Sequence, residues 1–173
     1  LANGRISVVA GTGSNSTEET LHQTKEAESL GADACLLVTP YYNRPTQEGL
    51  YAHFKKVAET TSVPLVLYNV PGRTGCDLLP ETIGRLSSIE GIVGIKEASG
   101  KIERVSEIRS VSASDFFILS GEDALTLEMM NNGAVGTISV TANVLPKAMA
   151  EFCDSFLSGN IKRASAIDEV LQS

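Results

Sequence analysis

The sequence predicts an α/β fold built on a parallel sheet. Three observations carry the prediction. Apolar runs of strand length recur at residues 6–10, 34–39, 64–70, 92–98, 116–120 and 136–141, their starts 28, 30, 28, 24 and 20 residues apart. Each run sets apolar residues on successive positions, the pattern of strands buried on both faces. Segments of helical period lie between the runs, and repeated β-then-α units imply parallel strands joined by right-handed crossovers.

The elements follow in order. After the first run, segment 17–30 opens on Ser16 with Glu19 three residues later, the spacing of a capping box, and closes at Gly31. Helices are expected over 47–60, 80–87, 101–111, 123–131 and 146–157, with Pro80 and Pro146 suited to a first turn. Two architectures compete for about six such units. An open doubly wound sheet is complete at this length, whereas a (β/α)8 barrel has eight strands and typically about 250 residues. A dinucleotide fold wants a glycine fingerprint after its first strand and an acidic residue after its second. Gly11-Thr12-Gly13-Ser14-Asn15-Ser16 fits that fingerprint only loosely, and the second run ends in Thr39-Pro40-Tyr41 with no carboxylate. The glycine segment therefore reads as a βα turn.

Composition narrows the function classes. The 173 residues are 42% apolar and 20% charged, an ordinary globular balance. A net charge of −7 without a basic run argues against nucleic acid or anionic membrane as partner. No apolar stretch reaches the roughly 18 residues of a spanning helix, and the first residues carry no signal-peptide pattern. Cys35, Cys76 and Cys153 are widely spaced and odd in number, which argues against a disulfide framework and fits a reducing compartment. His22 and His53, the two histidines, have no metal-ligand spacing, so neither a metal site nor a Ser–His or Cys–His pair is expected.

Reactive residue types gather just past the ends of the runs, the rim where parallel α/β barrels hold their catalytic groups. Lys96 is the sharpest of them, a lysine directly after the apolar Ile92–Ile95 stretch. Lysines are rarely buried unpaired, and desolvation lowers their pKa toward nucleophilic use as a Schiff base. A salt bridge to Glu97 or Glu122 is the competing explanation, and the sequence weighs the two about evenly. Tyr68, at another strand end, has a phenol suited to proton transfer, or to a satisfied place in the core. Arg73 follows on a loop flanked by glycines; its planar fork suits a carboxylate, although an isolated arginine is more often a solvated surface charge. Tyr41 and Tyr42 are adjacent and so point in different directions, one toward a site and the other toward an interface.

Four ordered segments then resemble one family. Tyr68-Asn69-Val70-Pro71-Gly72-Arg73-Thr74-Gly75 and Gly94-Ile95-Lys96-Glu97-Ala98-Ser99-Gly100 look like the diagnostic motifs of the dihydrodipicolinate synthase family, within the pyruvate-dependent class I aldolase superfamily. Val38-Thr39-Pro40-Tyr41-Tyr42-Asn43-Arg44-Pro45 and Gly11-Thr12-Gly13-Ser14-Asn15 match in order and spacing. The resemblance implies a (β/α)8 TIM barrel, here incomplete and covering about strands 3 to 8. It implies a partial barrel over 1–158 and the start of a C-terminal helical region over 159–173. The implied reaction is condensation of pyruvate with L-aspartate-4-semialdehyde through a lysine Schiff base, without cofactor or metal, towards diaminopimelate and lysine in the cytoplasm.

By the same resemblance Lys96 is the Schiff-base nucleophile, Tyr68 the proton-relay tyrosine beside it, and Tyr42 a relay tyrosine reaching into a neighbouring subunit. Arg73 anchors the semialdehyde carboxylate, and Gly121 and Ile138 line the pocket. Asn15, Ser16, Glu19 and Tyr41 fall at a feedback site for L-lysine, and the implied assembly is a homotetramer made of two dimers. The family's first two strands have no counterpart, nor has the loop that supplies a relay threonine. The 173 residues alone are therefore expected to be inactive or to aggregate. Sugar-acid aldolases of the same superfamily, N-acetylneuraminate lyase among them, share the lysine and tyrosine; the Gly-Arg-Thr-Gly loop favours a small acidic semialdehyde. A non-catalytic binding module is disfavoured by the joint presence of Lys96, Tyr68, Tyr42 and Arg73.

Overall fold

The computed structural model describes residues 2–172. Five parallel strands form one sheet, β1 (Val9–Gly11), β2 (Ala34–Val38), β3 (Leu65–Asn69), β4 (Ile92–Glu97) and β5 (Phe117–Ser120). Their spatial order is β1-β2-β3-β4-β5, the same as their order in the chain. A doubly wound sheet reverses strand order at a switch point, whereas a barrel wall advances one neighbour at a time. The observed winding is the second kind.

Helices α1 (Thr17–Ser29), α2 (Gln47–Ala58), α4 (Pro80–Ser87), α5 (Glu103–Val111) and α6 (Thr126–Asn131) join or follow the strands. The short α3 (Pro71–Thr74) comes directly after β3, and α7 (Pro146–Leu157) and α8 (Ile161–Leu171) end the described chain. Ser16 caps α1 by accepting the Glu19 N–H at 3.3 Å. The carboxylate of Glu19 takes Gln23 Nε2 at 2.8 Å. The C-terminus of α1 closes as a Schellman motif: Gly31 donates to Glu28 O and Ala32 to Ala27 O, with Gly31 at φ +81°. Pro80 and Pro146 both occupy first turns.

The core lies between the helices and one face of the sheet. Cys35, Leu37, Leu65, Leu67, Ile95 and Ile118 pack there with Leu50, Phe54, Ile83 and Ile108, all fully buried. Full burial of both sheet faces is not what the structure shows. Burial alternates along β2 and β5, and Tyr68 and Lys96 are only half-buried on the opposite face. The first run departs furthest. Its strand begins at Val9, and Ile6, Val8 and Val9 are exposed, because β1 pairs only with β2 and has no helix across its outer edge among the described residues.

The sixth run does not become a strand. Residues 135–138 hydrogen-bond to β5 through Val135 N to Ile118 O, Ser120 N to Gly136 O and Ile138 N to Ser120 O. Beyond them the chain turns into a 3-10 helix at Thr141–Asn143. With no further neighbour among the described residues, that segment has one partner only and keeps a single isolated bridge, Ser120 to Thr137. The expected helix over 123–131 splits into a 3-10 turn, Asp123–Leu125, followed by α6.

Candidate active site

Strand register builds the site. Val38 pairs with Tyr68, Tyr68 with Lys96, and Lys96 with Leu119, so these four residues form one row across the open face of the sheet. Within that row Lys96 Nζ sits 4.2 Å from the centre of the Tyr68 ring. A cation over a phenol face is attracted by the ring quadrupole.

The expected alternative partners of Lys96 do not take it up. Glu97, one residue along the strand, points to the other face and is fully buried, and Glu122 is exposed. Among the described residues Lys96 forms no ion pair within 4.0 Å. Burial pushes the Lys96 ammonium below the ordinary lysine range; Asp123 opposes that shift and the Arg73 guanidinium reinforces it. Burial raises the Tyr68 phenol, Arg73 counters, and Glu122 adds to the rise. Arg73 therefore acts electrostatically on both groups, although its own side chain is exposed on α3.

Gly121 leaves the space in which Lys96 runs. A Cβ on Gly121 would stand 2.9 Å from Lys96 Cε and 2.7 Å from Ala98 Cβ. Its N–H donates to Glu97 O at 2.8 Å, and the Ile138 N–H donates at 3.0 Å to the carbonyl of Ser120, the residue just before Gly121. Asp123 holds the turn after Ile138, accepting Val140 N at 3.0 Å, Thr141 N at 2.8 Å and Thr141 Oγ1 at 2.8 Å.

Tyr42 stands apart from this group. It is 89% exposed and adopts φ +73°, a left-handed backbone unusual for a bulky residue. One hydrogen bond, Tyr42 N to Thr74 O at 3.3 Å, ties it to the end of α3. Tyr41, Tyr42, Arg44, Arg73 and Thr74 line one open cleft. Asn15 joins this loop cluster through its carbonyl, which accepts Asn43 Nδ2 at 2.9 Å. Ser16 and Glu19 lie on the first turn of α1, engaged as its cap and with Gln23. Gly13 proves structural, as read: a Cβ there would come within 2.3 Å of the Val38 backbone nitrogen.

A second polar group went unread in the sequence. Asn69 and Glu97 are register partners on the helix-facing side, one step past Tyr68 and Lys96, and both are fully buried. Asn69 Nδ2 donates to Glu97 Oε2 at 3.1 Å and to Asp77 Oδ1 at 2.9 Å, while Asn69 Oδ1 accepts Leu78 N at 3.0 Å. Arg104 grips Asp77 bidentately at 3.0 and 3.1 Å. The available signal was two polar residues at the same offset inside apolar runs.

No group of His, Cys, Asp and Glu among the described residues is placed to hold a metal ion. No helix there is long and apolar enough to cross a membrane.

Known proteins are similar to this chain in sequence and in fold. The profile of the dihydrodipicolinate synthetase family matches residues 1–173. A 4-hydroxy-tetrahydrodipicolinate synthase of Methylococcus capsulatus is 55% identical over 172 residues, covering 99% of this chain and 59% of its own length. The crystal structure of the Thermotoga maritima dihydrodipicolinate synthase superposes with a TM-score of 0.96 at 46% identity, over 99% of this chain and 59% of that one. That of the Acinetobacter baumannii enzyme superposes with a TM-score of 0.94 at 50% identity, over 97% of this chain and 58% of that one. The chain thus spans about three fifths of the length of the relatives it matches. The family profile matches residues 1–173 and the solved structures share the sequentially wound parallel sheet, so the chain belongs to the dihydrodipicolinate synthetase family.

Proposed function

We propose that this chain carries the nucleophile and the substrate-facing loops of a 4-hydroxy-tetrahydrodipicolinate synthase, a lyase condensing pyruvate with L-aspartate-4-semialdehyde. The observation that carries the reading is Lys96, desolvated, without an ion-pair partner among the described residues, and seated over the Tyr68 ring. The Acinetobacter baumannii structure is a complex with pyruvate, which supports that substrate.

In this reading the neutral Lys96 amine adds to the pyruvate ketone, and loss of water leaves an imine. The protonated imine draws electron density from the adjacent methyl, which gives up a proton to form an enamine. The enamine carbon attacks the semialdehyde carbonyl, and the alkoxide so formed takes a proton. Tyr68 passes protons at these steps, its ring standing next to Lys96 with Nζ 4.2 Å from the ring centre. Arg73 holds the semialdehyde carboxylate, and Gly121 and Ile138 line the pocket with backbone groups. Tyr42 serves a neighbouring subunit, in keeping with its exposure and strained backbone.

The same reading takes residues 1–158 as part of a (β/α)8 barrel, about strands 3 to 8, and 159–173 as the start of a helical region. The assembly is a homotetramer of two dimers, working in the cytoplasm without a cofactor. L-lysine binds as a feedback inhibitor at Asn15, Ser16, Glu19 and Tyr41. Support for an inhibitor site comes from a Cyanidioschyzon merolae relative, 41% identical, whose structure has lysine bound.

Borohydride reduction in the presence of pyruvate tests the proposal on the full gene product carrying these residues. A pyruvyl adduct on Lys96, with turnover of the semialdehyde, is the expected result. Sugar-acid cleavage without semialdehyde condensation would overturn it.

A further inference from the structure

Directly behind the lysine–tyrosine row lies the buried polar group. Parallel register places Tyr68 opposite Lys96 on the open face, and Asn69 opposite Glu97 one step on, facing the helices. Asn69, Glu97 and Ser120 are all fully buried, a polar row beside the apolar row Leu37, Leu67, Ile95 and Ile118 on the same face. Polar groups in such a place cost free energy unless every one finds a partner.

Each is partnered in a directional way. Glu97 accepts Asn69 Nδ2 through Oε2 and the Ser99 N–H through Oε1. Asn69 shares its amide hydrogens between Glu97 and Asp77 and takes Leu78 N on its oxygen. Asp77 receives both terminal nitrogens of Arg104, whose Nη1 also reaches Leu78 O at 3.3 Å. The chain of bonds therefore runs from β4, through β3 and the loop after α3, to α5. The backbone ladder and the buried face set the register of β3 and β4. The directional chain adds to it, because a shift of one strand along the other breaks Asn69 from Glu97.

We propose that Glu97 and Asn69 are positioning residues for the proposed reaction, fixing Lys96 against Tyr68 from the far side of the sheet. The inference rests on the Schiff-base reading of Lys96. Its geometric basis is that backbone neighbours carry the two roles: a displacement of Glu97 moves Lys96, and one of Asn69 moves Tyr68. Sub-ångström alignment of reacting groups controls rate far more than it controls binding.

Glu97→Gln is the discriminating variant. Glutamine keeps the size, but its amide hydrogens face either the Asn69 amide or the Ser99 N–H, so one of the two bonds is lost. In the full gene product, at matched folded fraction, we expect about a tenfold fall in kcat with KM for pyruvate changed less than about twofold. A Lys96 displaced from its place over the Tyr68 ring also shifts the pH midpoint of borohydride-trapped imine formation. A network that serves stability alone would lower Tm and leave the rate per folded molecule and the pH midpoint where they were, and that result would overturn the inference. Should Glu97→Gln not fold, Asp77→Asn carries the test at the partly exposed end of the network; a smaller loss of kcat in the same direction is expected, and an unchanged kcat and midpoint would refute it. Wild-type protein that traps no pyruvate at all would instead refute the underlying assignment of Lys96.

Discussion

Lys96 and Tyr68 face each other across the β3–β4 register, with Nζ 4.2 Å from the ring centre. That single relationship separates two roles that a variant pair resolves. Lys96→Ala should abolish the borohydride-trapped pyruvyl adduct. Tyr68→Phe keeps the ring under the ammonium but removes the proton-transfer group, so the adduct should persist while turnover falls by about 10²–10⁴. Mass spectrometry of the reduced protein together with a condensation assay distinguishes the outcomes. The pH dependence follows in sign: burial lowers the Lys96 pKa, so adduct formation should rise to its plateau at a pH below the ordinary lysine value of 10.5.

Gly121 should tolerate no side chain. A methyl group there meets Lys96 Cε at 2.9 Å and Ala98 Cβ at 2.7 Å, and the strand end cannot yield without moving the lysine. Gly121→Ala is expected to cost about 1–3 kcal/mol in stability, as overpacking does, and to slow adduct formation more than it weakens folding. Urea denaturation and trapping rate, measured on the same sample, provide the check.

His53 sets an acid limb of stability. Its ring is buried between α1 and α2, with Nδ1 2.9 Å from Thr17 Oγ1 and Nε2 unpartnered, and burial lowers its pKa from 6.5 to about 4. The folded state favours the neutral ring, so the unfolded chain binds more protons between these values. Stability is therefore full above about pH 6.5 and falls as pH drops toward 4, by about 3 kcal/mol at most. His53→Gln should flatten that slope between pH 6.5 and 4. An unchanged slope in chemical denaturation would contradict the assignment.

Tyr42 should trade stability for function. Its left-handed backbone is strained for a tyrosine, and its side chain is almost wholly exposed. Asparagine accepts that conformation more readily and sacrifices no burial within the chain. Tyr42→Asn is expected to match or exceed the wild-type Tm while condensation activity drops, the behaviour of a residue kept for chemistry rather than for folding. A fall in Tm with activity intact would contradict the role.

Much of the fold was legible because local chemistry is strong where the helices begin and end. Ser16, Gly31, Pro80 and Pro146 each mark a boundary that the structure reproduces. The outer runs were less legible. Residues 6–10 and 136–141 have strand composition, but a strand needs a neighbour, and at either side of this sheet the described residues offer only one. Among candidate site residues, Lys96 and Tyr68 were visible as polar groups at the ends of apolar runs. Asn69 and Glu97 have the same placement and were missed as a pair, because a hydrogen-bond partner 28 residues away is a matter of register.

By itself the sequence determined that this chain forms β-then-α units on a parallel sheet, and that its reactive side chains sit at the strand ends. Apolar runs, caps and glycines encode those facts within a few residues of one another. Tertiary structure alone decided which face each strand-end residue occupies. It set Lys96 over Tyr68 and away from Glu97, and it closed the buried chain from Glu97 through Asn69 and Asp77 to Arg104. The physical reason is the period of two along a strand: neighbours in sequence part to opposite faces, and only the pairing of separate strands chooses what each then meets.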